Sequence, residues 1–273
     1  MDAEKVAGFL KQLYQRVVSE DVFGLAAQLA YFFLLSLFPF LLFLLTLIGY
    51  LPLDLDNITA FIETYAPPEI MEWVMTNIQQ LAKRQNSGLL SISIIGTLWS
   101  ASKGINALMR AFNRAYGVEE DRSFIVSRLI AIILTIAMVV IISVAFLLPI
   151  FGKTIGLYIF SFVGLSEDFL ATWDTLRWAV SSVVFFIVFL ALYVLSPNQH
   201  ICLQHAVWGA IFTTVSWQLV SLAFSYYVSA IGNYSATYGS LGTIIVLMIW
   251  FYISGVIIIL GGFINAIVHT NRS

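Results

Sequence analysis

Residues 24–51 read "GLAAQLAYFFLLSLFPFLLFLLTLIGYL", a run without one Asp, Glu, Lys or Arg. A helix rises about 1.5 Å per residue, so this run is long enough to cross the ~30 Å hydrocarbon core of a bilayer. A soluble helix of this length carries a polar face, and here Gln28 and a few hydroxyls are all that break the apolar run. The stretch therefore predicts a membrane-spanning helix. Five more apolar runs follow. Together they give spans over Gly24–Leu51, Gly88–Leu108, Phe124–Phe151, Leu176–Leu195, Ala206–Ile231 and Leu241–Val268.

Composition agrees with that count. The chain is 60% hydrophobic and only 10% charged, with a mean hydropathy of +0.93. Soluble domains carry about a quarter charged residues. The runs do not alternate polar and apolar residues, which excludes a membrane β-barrel. In hydrocarbon a helix satisfies its own backbone groups. The expected fold is all-α: one polytopic transmembrane domain over residues 1–273 with six transmembrane helices, an amphipathic N-terminal helix and extracytoplasmic helices. A charged segment precedes a first run too long for a signal peptide, so no cleaved leader is expected.

Lysine and arginine near the span ends set orientation. With the N-terminus inside, Lys5, Lys11, Arg16, Lys103, Arg110, Arg114, Arg122, Arg128 and Arg272 fall on the cytoplasmic side. Lys83, Arg84, Lys153 and Arg177 fall outside. This places both termini in the cytoplasm of a multi-pass membrane protein.

Three segments outside the spans carry their own pattern. Residues 1–21 form a cytoplasmic amphipathic helix with Val6, Phe9, Leu10, Leu13, Tyr14 and Val17 on one face. That helix lies on the membrane surface or packs on the bundle. Residues 52–87 read as an extracytoplasmic helical hairpin broken at Pro67 and Pro68. Thr154–Leu165 is apolar but too short to span, so it is interfacial or re-entrant.

Within the spans, Pro39 cannot donate to the carbonyl of Leu35. It predicts a kink whose freed carbonyl is satisfied by Ser36 or by a neighbouring helix. Gln28 is an amide at depth, facing protein either as an interhelical hydrogen bond or as a substrate contact. Gly96, Ser100 and Gly104, and Ala26 and Ala30, have the four-residue spacing of close helix packing. Trp99, Trp178, Trp208 and Trp250 lie near span ends, where tryptophan anchors to the interface.

Chemistry-bearing patterns are sparse. No carboxylate lies deep in a span, and none occurs at all from Thr175 to Ser273. Cys202 is the sole cysteine, so no internal disulfide can form. Walker A, His-Glu-x-x-His and Gly-x-Ser-x-Gly motifs are missing. His200 and His205 are five apart with no nearby acid, a poor metal pair. No enzyme, cofactor or metal is expected.

The basic segment 103–123 holds more. In "WSASKGINALMRAFNRAYG" (99–117) Lys103, Arg110 and Arg114 fall within about 40° of arc on a helix. Ile105, Leu108, Met109, Phe112 and Tyr116 take the opposite side, and Asn106 and Asn113 flank the boundary. This is one amphipathic helix leaving the bilayer on the cytoplasmic side. Its cations either anchor to anionic lipid, or face an internal cavity as an anion port.

"LAYFFLLSLFPFLL" (29–42), "LWSASKGINALMRAFNRAYG" (98–117) and "YGSLGTIIVLMIWFYISGVIIILGGFINA" (238–266) resemble the YihY/BrkB family of bacterial inner-membrane proteins over nearly the whole chain. The resemblance implies a six-helix integral membrane protein and no settled activity. An old label for the family, ribonuclease BN, is regarded as a mistake, and no basic stripe with exposed aromatics or carboxylate cluster supports it here. One departure stands out. Many relatives carry Glu in a Gly-Ala-Glu-like triplet of the last span, where this chain has Gly261, Gly262 and Phe263.

Three functions compete. The first is a transporter or flippase-like protein for an anionic or lipid-like substrate, with Lys103, Asn106, Arg110, Asn113, Arg114 and Gln28 as binding residues and Ser36 and Pro39 at the kink. The second is a membrane scaffold without transport, and the least favoured is a ribonuclease. Expected partners are membrane lipids, anionic ones among them, and further copies of the chain in a homo-oligomer, but not nucleic acid.

Overall fold

The structure, a computed structural model, describes residues 3–48, 87–123, 125–138, 168–230 and 240–272. They form helices α1 (Ala3–Ser19), α2 (Val22–Ile48), α3 (Ser87–Tyr116), α4 (Ile125–Met138), α5 (Asp168–Leu195), α6 (Leu203–Ala230) and α7 (Ser240–Arg272). Among the described residues there is no strand. Parts of α2, α5, α6 and α7 are long and apolar enough to cross a membrane: Val22–Phe43, Trp178–Leu195, Leu203–Val228 and Ile244–Thr270. The expected hairpin over 52–87, apart from Ser87 at the start of α3, and the apolar segment 154–165 lie outside the described residues.

Helices α2 and α3 run antiparallel, as do α6 and α7, whereas α3 and α7 run parallel; α7 is central, touching α1, α2, α3 and α6. Small residues make this possible. Gly255 comes against the backbone of Ala26 and the side chain of Leu29, where a Cβ would sit 3.3 Å from each. Gly209 of α6 lies against the Gly261 carbonyl of α7. A methyl on Gly262 would meet the ring of Phe112. Without a hydrophobic driving force between helices in lipid, such close approach supplies dispersion contact that larger residues would prevent.

Buried polar groups tie the same helices together. The Tyr193 hydroxyl of α5 lies 2.5 Å from Thr213 Oγ1 of α6 and donates to the Ile258 carbonyl of α7 at 2.8 Å. Gly261 leaves the room for this node, since a Cβ there would collide with both hydroxyls. Asn265 Oδ1 accepts from the Gly209 backbone N–H at 2.6 Å. Trp217 Nε1 donates to Ser254 Oγ at 3.1 Å, and Gln218 Nε2 to Ser182 Oγ at 2.9 Å. Phe263 is fully buried in the core.

The most extensive interface joins α2 and α3. Gly104 faces Phe33, and Gly96 faces Pro39 at 3.3 Å for an added Cβ. Helix α2 runs unbroken through Pro39. Ser36 Oγ donates to the Phe33 carbonyl at 2.8 Å, not to that of Leu35, so the expected repair of the freed carbonyl by Ser36 is corrected. A hydroxyl bonds back three or four residues along its own helix, and Leu35 is only one residue away. Gln28 is also corrected. It is exposed, because Ala26, Leu29 and Ala30 take the inner face of α2.

Helix α1 packs on the bundle through one face. Val17 joins the core with Leu13 packed against it, and Arg16 Nη1 donates to the Ala115 carbonyl at the end of α3, 2.9 Å away. Leu10, Tyr14 and Val18, one turn apart, remain exposed. Asp21, at φ 49°, turns the chain into α2, and its carboxylate caps the Gly24 N–H at 3.2 Å.

Candidate functional site

Helix α3 is one continuous rod of 30 residues. Its amphipathic second half folds as the periodicity predicts. Ile105, Leu108, Met109 and Phe112 are buried, while Lys103, Arg110 and Arg114 are exposed. Gly117, at φ 67°, ends the helix, with Val118 N–H bonded to the Asn113 carbonyl at 2.9 Å and Gly117 N–H to that of Arg114 at 3.1 Å. This is a left-handed C-terminal cap, which favours glycine.

A groove of about 620 Å³ runs along this face, lined by Phe32 of α2, Trp99, Lys103, Asn106 and Arg110 of α3, and Arg128 of α4. Asn106, Arg110 and Arg128 also line a second hollow of about 250 Å³, closed by Met109, Glu120 and Ser127. Lys103 Nζ sits 5.5 Å from the centre of the Trp99 ring and Arg128 Cζ 5.2 Å, both within cation–π range. Among the described residues, Lys103, Arg110 and Arg128 have no carboxylate at ion-pair distance. Ile92, Ile95, Trp99, Lys103, Asn106 and Arg110 follow one another at three- and four-residue spacing, so a single face of α3 passes from apolar through aromatic to cationic. Ile92, Ile95 and Trp99 are 69%, 65% and 58% exposed.

Glu120, which lines the second hollow, belongs to a polar clasp. Arg122 Nε donates to Glu120 Oε1 at 2.6 Å and its Nη2 to Glu120 Oε2 at 2.7 Å. The same guanidinium caps the end of α5 through the Ser196 carbonyl at 2.8 Å. Asn113 Nδ2 donates to Glu120 Oε2 at 2.8 Å, while its Oδ1 accepts the Asn198 backbone N–H at 2.7 Å. Asn198 Nδ2 in turn donates to the Glu119 carbonyl and to Asp121.

The hydrogen bonds from Arg122 hold the Glu120 carboxyl below its ordinary range; burial opposes them more weakly, and the Asn113 amide adds to the lowering. A depressed carboxyl contributes stability that is fully present above its unfolded pKa and is lost as pH falls through the folded one. The clasp should therefore hold at neutral pH and open only below the usual carboxylate range. Hydrogen exchange of segments 117–123 and 196–202 should accelerate there several-fold in the wild type. Glu120→Gln should exchange fast at every pH.

Lys103, Asn106 and Arg110 thus come together around the groove. Arg114 lies on the same helix but does not line it. Asn113, expected at the substrate, is 4% exposed and fully engaged in the clasp. Gln28, Ser36 and Pro39 line neither hollow. Sequence reasoning missed Phe32, Arg128, Ser127 and Glu120 as lining residues and treated Trp99 only as an anchor.

At the same end of the bundle, His205 pairs with His269, not with His200. The two Nδ1 atoms are 3.1 Å apart, and the Tyr116 ring packs on His269 at 5.9 Å. Among the described residues no three His, Cys, Asp or Glu side chains converge as a metal site.

The family profile described as virulence factor BrkB matches residues 13–273. A Bacillus subtilis (strain 168) protein, named ribonuclease-like protein YfkH, is 54% identical over 97% of this chain and 96% of its own. A UPF0761 membrane protein of Glaesserella parasuis is 31% identical over 63% of this chain and 58% of its own. Another from Alteromonas mediterranea is 24% identical over 96% and 91%. No solved structure matches the chain.

Proposed function

The chain belongs to the virulence factor BrkB family, whose relatives include named membrane proteins, and from that premise we propose that it transports an anionic, lipid-like substrate entered through the groove beside Trp99. The observation that carries this is the run of one α3 face from exposed isoleucines to Lys103 and Arg110, with Arg128 of α4 beside them and, among the described residues, no carboxylate at ion-pair distance from the three. An amphiphile has the same order of parts: hydrocarbon, then a charged phosphate. Cations that only anchored the bundle would project singly; Arg114 is exposed and lines neither hollow. Three converging on one hollow beside an aromatic ring suit one bound anion. In the proposed arrangement both termini are cytoplasmic, α3 and the expected span Phe124–Phe151, of which α4 is the described part, supply two further crossings to make six, and the groove opens to the inner leaflet.

The test is transbilayer movement of a fluorescent short-chain phosphatidylglycerol in proteoliposomes. The fraction of label quenched by an external reductant should rise at least several-fold faster than in protein-free vesicles. Equal rates, with folded protein present, would favour the scaffold alternative.

A further inference from the structure

We infer that the second hollow selects the headgroup, so that the occupant is a phosphodiester lipid bearing an uncharged hydroxylated headgroup, of the phosphatidylglycerol kind; this rests on the groove being a lipid site. The two hollows adjoin, sharing Asn106, Arg110 and Arg128 as lining residues. Trp99 to Arg110 spans about 16 Å along α3, room for the acyl–glycerol junction, the phosphate and a headgroup in sequence. With hydrocarbon on Ile92, Ile95 and Phe32, the phosphate falls among Lys103, Arg110 and Arg128. Whatever it carries beyond that point enters the hollow closed by Asn106, Ser127 and Glu120.

These three side chains suit hydroxyl groups. Asn106 both donates and accepts, as does the Ser127 hydroxyl. A carboxylate offers about four acceptor positions. Glu120 uses one on Oε1 for Arg122 and two on Oε2 for Arg122 and Asn113, leaving one on Oε1 for a ligand hydroxyl. An ammonium headgroup fits poorly. The charge of Glu120 is already met by Arg122, and the ammonium would lie beside Arg110 and Arg128, two cations with no carboxylate at ion-pair distance among the described residues. Like charges brought together in this way discriminate against a ligand as strongly as good contacts favour another.

Native mass spectrometry of the full chain in detergent tests this, using an equimolar mixture of dioleoyl phosphatidylglycerol, phosphatidylmethanol and phosphatidylethanolamine. Phosphatidylmethanol matches the charge of phosphatidylglycerol and lacks its hydroxyls. Phosphatidylglycerol should be retained about tenfold over phosphatidylethanolamine and several-fold over phosphatidylmethanol, a tenfold ratio being an ordinary single-contact difference. Asn106→Ala with Ser127→Ala should equalise phosphatidylglycerol and phosphatidylmethanol while both still exceed phosphatidylethanolamine. Millimolar glycerol phosphate should displace neither lipid, and displacement would assign the site to a soluble phosphate ester and overturn the lipid assignment. Equal retention of phosphatidylglycerol and phosphatidylmethanol by the wild type would overturn headgroup selection and leave the anion groove standing. Equal retention of all three lipids would overturn both.

Discussion

Gly209→Ala is expected to destabilise the protein by about 3 kcal/mol. The new methyl group would collide with the backbone carbonyl of Gly261 and sit 2.5 Å from Asn265 Nδ2. Backbone cannot swing aside, so α6 and α7 must separate. That separation also strains the Asn265 bond to the Gly209 N–H and the Tyr193–Thr213–Ile258 node one to two turns away. Overpacking costs about 1–3 kcal/mol, and the upper end applies where the obstacle is main chain. Thermal unfolding in detergent should shift down by about 10 °C, at roughly 2–4 °C per kcal/mol for a chain of this size. Gly8→Ala is the control. Nothing lies within 4 Å of a Cβ there, and the position is helical, so stability should hold or rise slightly.

Lys103→Gln, Arg110→Gln and Arg128→Gln combined should abolish lipid retention without unfolding the bundle. Glutamine keeps much of each stem and a polar tip, and none of the three is buried or ion-paired among the described residues. Each basic residue near an anionic headgroup contributes about 1 kcal/mol, so removing three weakens binding on the order of a hundredfold. The proteoliposome transport rate should fall to the protein-free background. Arg114→Gln, on the same helix but outside the groove, should change retention by less than about tenfold. Raised salt should weaken wild-type binding and leave the triple variant unaffected, because the charges it would screen are gone.

Much of this was legible in the sequence because lipid imposes simple rules. Uncharged runs mark helices, and the glycines and alanines at four-residue spacing mark where helices meet. The 100° periodicity of residues 103–116 separated the buried Ile105, Leu108 and Phe112 from the cations without any structure. What was not legible depends on segments distant in the chain. Arg128 faces Trp99 from the next helix, and no spacing rule crosses the turn at 117–123. Asn113 has the look of a binding residue until the fold brings Asn198 against it, 85 positions away. Glu120 and Arg122 read as loop charges until Arg122 reaches the end of α5. Gln28 misled for another reason. A lone amide in an apolar run suggests an inward face, but Ala26, Leu29 and Ala30 pack more closely against α7 and turn Gln28 outward.

The groove claim meets its most direct test in photo-cross-linking. A phosphatidylglycerol carrying a diazirine in its headgroup is incorporated into nanodiscs with the full chain, and the adducts are mapped by peptide mass spectrometry. Adducts should concentrate on Asn106, Arg110, Ser127 and Arg128 and should disappear in the triple glutamine variant. Adducts spread instead along other surfaces, such as the exposed ends of α6 near Trp208 and Tyr226, with none enriched around the groove, would contradict the account.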